Sequence, residues 1–487
     1  MSLPYVLSFR RDVSVVEEDP ERAKLLAPLG TQSLSGLSPA LLDAMRTLAG
    51  DGATEDQLAD MMIRDGDTTD LARLYYELER WKGWRLIRYS LVMEGPPLAT
   101  VEPISTYFRF DPKPVAADGR YVLSRFAFCR RDADELVLES PLAHARTVLR
   151  GSLGARLIAE LATPSSYVEL AERTAGLAED VAQAFLSLLI NAGVLSRVGE
   201  EGVAEDVDAT LRQWEFHDLL YHSRSRIGRH DYPVGGQFRF LGQLPPQPAL
   251  KPCMSEETIE LFRPNLEGLL EDDLPFTRVL EGRRSVREYG EQPITARQLG
   301  EFLYRTARVR SITEPNPEVG LHYEASSRPY PSGGGSYDLE LYLTVNVCEG
   351  IPSGIYHFDP LHHRLEKLAD RNAHAEALLR DAWLSAARLC MPQVLISLAS
   401  RFQRLGWKYN AMAYSATLKN VGVLYQTMYL VATAMGLAPC GLGNGNSDLL
   451  AEAAGLDYLK ESSVGEFMLG SRERGPAAPR AARPIGT

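Results

Sequence analysis

The sequence predicts an α+β protein in which two similar N-terminal modules precede a larger C-terminal domain. YVLSFRRD at 5–12 returns as YVLSRFAFCRRD at 121–132, which indicates an internal repeat. Further along the chain, helical patterns alternate with apolar runs of strand length. The acidic, turn-rich stretch GEEGVAEDVD at 199–208 separates these two regions. We therefore expect domains at 1–115, 116–205 and 206–487.

The helical parts of the two modules also match. LLDAMRTLAGDGATEDQLADMM at 41–62 aligns with ARLIAELATPSSYVELAERT at 155–174. Two capping boxes and two glycines suited to a left-handed helix end occupy equivalent places: Thr54 with Gln57, Ser166 with Glu169, and Gly83 and Gly193. Strands, three helices and a wing predict two winged-helix-like domains.

Charge argues against a nucleic-acid partner. The formal net charge is -12 and the pI is near 5.4, whereas a duplex-binding surface needs an excess of Lys and Arg. The third helix of the second module, EDVAQAFLSLLIN, contains neither. Two roles for the modules stay open: scaffolding or dimerisation, and capture of an extended peptide at a strand edge.

Cysteine and histidine usage predicts a cytoplasmic protein without a metal site. The five cysteines form no CxxC pair, and the N-terminus lacks a secretory signal pattern. His217 and His222 have no carboxylate at a metal-ligand offset. The apolar stretch 411–439 carries Lys419, Asn420 and Gln426, so we expect a buried core helix and no membrane span.

The C-terminal domain contains four apolar runs that predict strands, at 339–347, 353–360, 392–400 and 464–471. A helix is predicted from Thr295, because Leu299 and Leu303 lie one turn apart. Two glycine-rich loops, PYPSGGGSYDLELYL at 329–343 and APCGLGNGN at 438–446, fit neither the dinucleotide fingerprint nor the P-loop.

The segment RRSVREYG at 283–290 predicts an anion site. Arg283, Ser285 and Arg287 alternate, so in extended backbone they point the same way. Two guanidinium groups and a hydroxyl suit one phosphate, with Arg284 facing away. The alternative is a solvated charged surface in which these arginines pair with nearby acids, namely Glu281, Glu288 and Glu291.

Taken in order, the RxSxR start, the PSGGG turn and the long helix followed by APCGLG resemble the FMN-dependent nitroreductase-like fold. FHDLLYHSRSRIGR at 216–229, PSGIYHFDP at 352–360 and WKYN at 407–410 resemble the SagB-type thiazole/oxazole dehydrogenases of peptide-modifying gene clusters. Among these the chain is most similar to the cyanobactin oxidases. They carry tandem N-terminal peptide-clamp domains similar to the leader-recognition elements of ribosomal peptide pathways, so the resemblance covers nearly the whole length.

The resemblance implies an FMN-dependent enzyme that oxidises peptide thiazolines or oxazolines to aromatic azoles, with O2 as electron acceptor. It implies Lys408 and Tyr409 as acid/base residues. The implied FMN contacts are a phosphate site, a ring-lining turn and a closing loop: Arg283, Ser285, Arg287 and either Arg472 or Arg474; Pro331, Ser332 and Gly333; and Gly441, Leu442 and Gly443.

The implied partners are an azoline-containing peptide, a cyclodehydratase and a second copy of the chain. Nitroreductase-like folds build each flavin pocket from two subunits, and the helix around 411–439 is too apolar on all sides to face water. Two other functions remain open: a flavin reductase that uses NAD(P)H on nitro or quinone compounds, and a non-catalytic peptide-binding partner of a cyclodehydratase.

Overall fold

The structure, a computed structural model, describes residues 5–28, 30–63, 68–93 and 95–472. The chain divides into two compact units, Met1–Tyr232 and Pro233–Thr487. The first unit contains both repeats and the second contains the larger mixed domain. The expected boundaries at 115/116 and 205/206, which would delimit three domains, remain predictions.

The two repeats have the same order of elements: one strand, three further strands, three helices and two closing strands. The first repeat consists of β1 (Tyr5–Phe9), β2 (Ser14–Asp19), β3 (Arg22–Ala27), β4 (Gly30–Ser35), α1 (Pro39–Ala49), α2 (Glu55–Met62), α3 (Thr69–Gly83), β5 (Ile87–Val92) and β6 (Pro97–Pro103). The second consists of β7 (Arg120–Leu123), β8 (Phe128–Asp132), β9 (Glu135–Glu139), β10 (Ala145–Leu149), α4 (Gly151–Glu160), α5 (Tyr167–Arg173), α6 (Glu179–Asn191), β11 (Leu195–Gly199) and β12 (Gly202–Val203). Two short helices follow, α7 (Ala204–Val207) and α8 (Phe216–Arg224).

Backbone hydrogen bonds join the same elements in both repeats, although two residues out of the register of the YVLS alignment, which matches Leu7 with Leu123. Leu7 in β1 and Ala53 before α2 exchange N–H···O bonds of 2.8 and 3.0 Å. Tyr121 in β7 and Ser165 before α5 exchange the equivalent pair, both 2.9 Å. The capping boxes predicted at the starts of α2 and α5 both form. The repeat is therefore structural as well as sequential.

The predicted helix-ending glycines behave differently in the two repeats. Gly193, after α6, has the expected left-handed backbone with φ 75°. Gly83 remains inside the last turn of α3, and Arg85 takes the left-handed conformation with φ 60°. The prediction for Gly83 was wrong because this glycine is the last helical residue of α3, and the left-handed turn comes two residues later, where the Leu86 N–H bonds to the Trp81 carbonyl at 2.9 Å.

The strands of the repeats are shared between three sheets. A six-stranded antiparallel sheet has the order β1-β5-β6-β10-β9-β8, so β6 of the first repeat pairs along β10 of the second. The strands β12-β11-β7 and β2-β3-β4 form two smaller sheets. Among the strands that the structure describes, β4 has a neighbour only at β3, whereas β10 is paired on both sides.

The second unit is built on a seven-stranded antiparallel sheet with the order β13-β18-β17-β16-β19-β21-β20. Its strands are β13 (Thr258–Glu260), β16 (Leu339–Val345), β17 (Gly354–Asp359), β18 (Arg364–Asp370), β19 (Val394–Arg401), β20 (Ala438–Gly441) and β21 (Glu461–Gly470), with a separate pair β14 (Ser311–Thr313) and β15 (Ala325–Ser327). Its helices are α9 (Leu266–Asp272), α10 (Phe276–Gly282), α11 (Ala296–Ala307), α12 (Ala373–Ser385), α13 (Gln403–Gly406), α14 (Ala413–Ala434) and α15 (Ser447–Ala454).

Helices cover both faces of this sheet, so its central strands are apolar on both sides. Leu341 and Leu343 of β16 pack with α11 and α14, whereas Tyr342 between them packs with α12 and α15. This alternation follows from the two-residue period of a strand. The four predicted strands and the α11 helix, capped by Thr295, are confirmed. Among the described helices, α14 included, none combines the length and hydropathy needed to cross a membrane.

Candidate active site

Arg283, Ser285 and Arg287, here called the arginine cluster, lie between α10 and α11 and meet α14 at Tyr429. The Ser285 and Tyr429 hydroxyls are 2.7 Å apart, and the Arg283 guanidinium lies over the tyrosine ring, 5.3 Å from its centre. The Gly441 N–H donates to the same tyrosine hydroxyl at 2.7 Å. Tyr429 therefore joins the arginine cluster to the second glycine-rich loop.

The backbone of the arginine cluster lies beside β20. The Val286 N–H donates to the Pro439 carbonyl at 2.8 Å, which brings Ser285 and Arg287 beside Cys440. Burial raises the pKa of the Cys440 thiol, while the neighbouring Arg287 opposes that rise. Cys440 is a buried, uncharged neighbour of the arginines at ordinary pH.

The donor chemistry of the arginine cluster fits a phosphate. Neither Arg283 nor Arg287 forms an ion pair with a carboxylate among residues 5–28, 30–63, 68–93 and 95–472. In the Ser285–Tyr429 pair one hydroxyl donates to the other, and Ser285 and Arg287 also form side-chain hydrogen bonds with Cys440. Arg284 is exposed, as expected for a side chain facing away.

The Pro-Ser-Gly turn is held by Asn420 of α14. The Gly333 N–H donates to Asn420 Oδ1 at 3.1 Å, and Asn420 Nδ2 donates to Ser332 Oγ at 3.1 Å. The same Nδ2 donates to Asp338 Oδ1 at 2.7 Å. Because Asn420 and Asp338 are both buried, these bonds fix the backbone of the turn against the helix.

Lys408 and Tyr409 converge on the same turn, at Gly334. Lys408 Nζ donates to the Tyr323 hydroxyl and lies 3.4 Å from the Gly334 carbonyl oxygen, which also accepts from Tyr323 at 2.5 Å. Gly334 has φ 60°, and a Cβ there would overlap Lys408 Nζ and lie 2.6 Å from Tyr409 Oη. We call Tyr323, Gly334, Lys408 and Tyr409 the lysine cluster.

A buried arginine, Arg404, holds the backbone segments next to the lysine cluster. Arg404 donates to the carbonyls of Ser336 at 2.8 Å, Glu324 at 2.9 Å and Gln247. Burial lowers the pKa of this guanidinium to about 10. By joining three segments through backbone oxygens, Arg404 holds the loop that carries Tyr323.

The remaining predicted ring contacts lie on the two glycine-rich loops. Pro331 and Gly443 are exposed, whereas Leu442 is buried and its N–H donates to the Glu466 carbonyl at 2.8 Å. Burial also raises the pKa of the Glu466 carboxyl group. The loop after β20 is thus anchored at Leu442 and open to solvent at Gly443.

The predicted fourth phosphate ligand lies near the C-terminal end of the arginine segment. Arg472 follows Ser471, whose carbonyl accepts from the Gly290 N–H at 3.3 Å. Arg474, the other candidate, lies outside the described residues.

The arginine and lysine clusters lie on opposite flanks of α14. Asn420, which holds the Pro-Ser-Gly turn, and Tyr429, which holds the arginine cluster, are nine residues apart, or about two and a half helical turns. Their side chains therefore leave the helix on opposite sides. The buried residues Val421, Leu424 and Met428 lie between these two flanks.

Sequence reasoning missed four residues that organise these clusters: Tyr323, Asp338, Asn420 and Tyr429. A signal existed only for Asn420, because a polar side chain in an apolar helix needs a hydrogen-bonding partner. Among the described residues, no three His, Cys, Asp or Glu side chains lie together in a way that could hold a metal ion.

Models of known families match three consecutive parts of the chain. The ThcOx helix-turn-helix domain matches residues 1–111, the cyanobactin oxidase ThcOx matches 121–231, and the nitroreductase family matches 280–471. The chain therefore carries domains of the cyanobactin oxidase ThcOx followed by a nitroreductase-family domain. This confirms the family resemblance and the predicted fold class, winged-helix-like modules followed by a nitroreductase fold.

Three curated proteins are similar to part of this chain. A Methanocaldococcus jannaschii protein named as a nitroreductase is 28% identical over 187 residues, 38% of the chain and 85% of that protein. The microcin B17-processing protein McbC of Escherichia coli is 33% identical over 26% of the chain and 46% of McbC. The trifolitoxin-processing protein TfxB of Rhizobium leguminosarum is 24% identical over 29% of the chain and 39% of TfxB. The chain thus spans less than half the length of McbC and of TfxB.

Proposed function

We propose that this protein oxidises thiazoline or oxazoline rings of a peptide to azoles, with FMN as cofactor and O2 as electron acceptor. One observation carries the proposal: Lys408 Nζ and Tyr409 Oη, an amine and a phenol, meet at Gly334 in the turn expected to line the flavin ring. The names of McbC and TfxB, which both process peptides, support a peptide substrate.

The side chains of the lysine cluster suit removal of a proton from a carbon acid. Lys408 would accept the α-carbon proton of the azoline at Nζ, which Tyr323 and the Gly334 carbonyl orient. The resulting ammonium lies 4.7 Å from the centre of the Tyr323 ring and 5.2 Å from that of Tyr409, where cation–π attraction stabilises it. FMN, when bound, supplies the acceptor for the hydride equivalent from the adjacent ring carbon.

The direct test is the mass of an azoline peptide incubated in air with the purified, flavin-loaded protein. Conversion of each ring removes two hydrogens, so we expect a loss of about 2 Da per ring. An unchanged mass, together with turnover of NADPH and a nitroarene, would instead identify a flavin reductase. A colourless protein that binds the peptide without changing it would identify a non-catalytic partner.

The arginine cluster should hold the FMN phosphate. We expect Arg283→Ala or Arg287→Ala to weaken FMN binding by about tenfold or more, because each removes a charge-assisted contact of roughly 1.5 to 3 kcal/mol. The measurement is the 450 nm absorbance per protein after gel filtration, followed by titration with FMN. Arg284→Ala is the matched control, because this exposed neighbour faces away. A fully yellow Arg283→Ala, Arg287→Ala double variant would make the cluster a surface charge patch.

We further propose a homodimer in which each FMN site joins the arginine cluster of one copy to the lysine cluster of the other. The two clusters flank α14 on opposite sides, so a single elongated cofactor does not lie on one face of the helix within one chain. The same helix leaves Leu418 and Val423 exposed, at 39% and 36% of their surface, which a second copy would cover. A flavin-loaded monomer in light scattering would contradict this proposal.

Mixed dimers test the sharing of the site directly. Co-expression of a Lys408→Ala chain with an Arg283→Ala, Arg287→Ala chain yields heterodimers in which one of the two sites has both clusters intact. We expect about a quarter of wild-type activity without added FMN, from random pairing of the chains. If the mixture is as inactive as each parent, every site is formed within one chain.

A further inference from the structure

A short segment, Gly236–Leu244, here called the strap, is tied to the backbone and side chains of the WKYN motif. The Gln237 and Phe238 N–H groups both donate to the Lys408 carbonyl, at 2.9 and 3.2 Å. At the far end of the strap, Trp407 Nε1 donates to the Leu244 carbonyl at 2.8 Å. Hydrogen bonds therefore fix both ends of the strap to the segment that carries Lys408.

Phe238 adopts an unusual backbone conformation in this strap. Its φ is 48°, in the left-handed region that bulky side chains rarely occupy. Such strained residues concentrate at functional sites, where the surrounding contacts hold them in place. The conformation directs the ring toward Lys408, whose Nζ is 6.0 Å from the ring centre, and packs its edges on His322 at 5.0 Å and Trp407 at 5.7 Å.

We propose that Phe238 is the surface on which the azoline ring of the substrate packs. The inference rests on the proposed function, because it takes Lys408 as the proton acceptor. A carbon acid must come within roughly 3 Å of Nζ to lose its proton, and a ring that approaches Nζ from the Phe238 side comes within aromatic packing distance of Phe238, whose centre is 6.0 Å from Nζ. Two other rings lie closer to Nζ: Tyr323 is only 5% exposed, and Tyr409 is the proposed partner of Lys408 in proton transfer. Phe238 is partly exposed and has no such role.

Two glycines pack closely against Lys408. A Cβ at Gly236 would lie 3.4 Å from both Lys408 Cε and the Phe238 ring. On the other side, a Cβ at Gly334 would overlap Lys408 Nζ. Because both glycines are exposed and carry no side chain, a peptide would meet no side chain at these two positions as it approaches Lys408.

The test compares Phe238→Leu with Phe240→Leu in the flavin-loaded protein. Phe240 lies on the same strap, but its ring packs on Arg239, 4.5 Å away. We expect Phe238→Leu to raise KM for an azoline peptide about tenfold, with kcat within about threefold of wild type, because an aromatic packing surface is lost. Phe238→Trp should restore KM, and Phe240→Leu should match wild type in both constants.

Equilibrium binding provides a readout that does not depend on turnover. The probes are a fluorescein-labelled peptide that ends in a thiazole and the same peptide with alanine in place of the ring. Phe238→Leu should weaken binding of the thiazole probe about tenfold and leave the alanine probe unchanged. Equal loss for both probes, or a fall in kcat without a change in KM, overturns the inference. Absence of azoline oxidation in the wild-type protein would instead contradict the proposed function, while the binding comparison still judges Phe238.

Discussion

Lys408→Ala and Tyr409→Phe should each abolish azole formation while leaving a yellow, dimeric protein. General acid and base groups contribute about 100-fold to 10,000-fold, so each variant should fall by at least the lower figure. FMN should remain bound because the arginine cluster lies on the other flank of α14 and forms no contact with Lys408 or Tyr409 among those described. The measurement is the rate of azole formation by mass spectrometry, with FMN content measured in parallel.

Two further variants extend this test: the double variant and a control substitution at another lysine. If Lys408 and Tyr409 act on one proton path, the combined loss should be less than the product of the single losses. Lys460→Ala is the control, since Lys460 is exposed and pairs with Asp457 at 3.0 Å. Near-normal azole formation by Lys408→Ala, Tyr409→Phe would show that the WKYN motif is structural and that the base lies elsewhere.

Asp338→Ala should cause the largest loss of stability. This side chain is fully buried and accepts three hydrogen bonds, from Ser400 at 2.7 Å, Thr417 at 2.9 Å and Asn420 at 2.7 Å. Removing it leaves three buried donors without their acceptor, which should lower the free energy of unfolding by about 3 to 5 kcal/mol. For a unit of this size that corresponds to a fall of roughly 10 °C in the unfolding midpoint.

The same variant should also impair the Pro-Ser-Gly turn, because Asn420 loses the bond that orients its amide. Azoline oxidation at a temperature well below the midpoint should therefore fall more than the folded fraction does. Asp272→Ala, at an exposed position at the end of α9, is the control and should match wild type in calorimetry. A midpoint for Asp338→Ala within about 2 °C of wild type would show that the three donors find other acceptors.

The sequence predicted those parts of the molecule whose physical cause is local. The strands β16 and β19 appear in the sequence as apolar runs because helices bury both faces of the sheet. Thr54 and Ser166 mark the starts of helices because their side chains accept hydrogen bonds from backbone N–H groups three residues later. Alternation of Arg283, Ser285 and Arg287 is equally local, so the cluster could be predicted. The roles of these arginines and of Lys408 and Tyr409 stay predictions.

The parts that escaped prediction depend on contacts between distant segments. Asn420 meets Ser332 and Asp338 only after β16 and α14 pack together, and no spacing in the sequence reveals this. Phe238 carries no signal at all, because its positive φ is imposed by the Lys408 carbonyl far along the chain. The cap predicted at Gly83 failed for the same reason, since the packing around Trp81 decides where α3 ends.

Because of the strand β6, the two repeats differ in which strand edges can pair with another chain. By lying along β10, it acts as an internal donor strand that occupies in the second repeat the edge that β4 leaves open in the first. If the modules capture an extended peptide by strand addition, the edge at β4 is open to it, whereas the matching edge at β10 is already occupied by β6. The two repeats would then differ in function: one has an open edge at β4, and the other has its matching edge at β10 occupied by β6. Separate expression of residues 1–115 and 116–205 would remove β6 from β10 and leave both strands with an unpaired edge that favours aggregation.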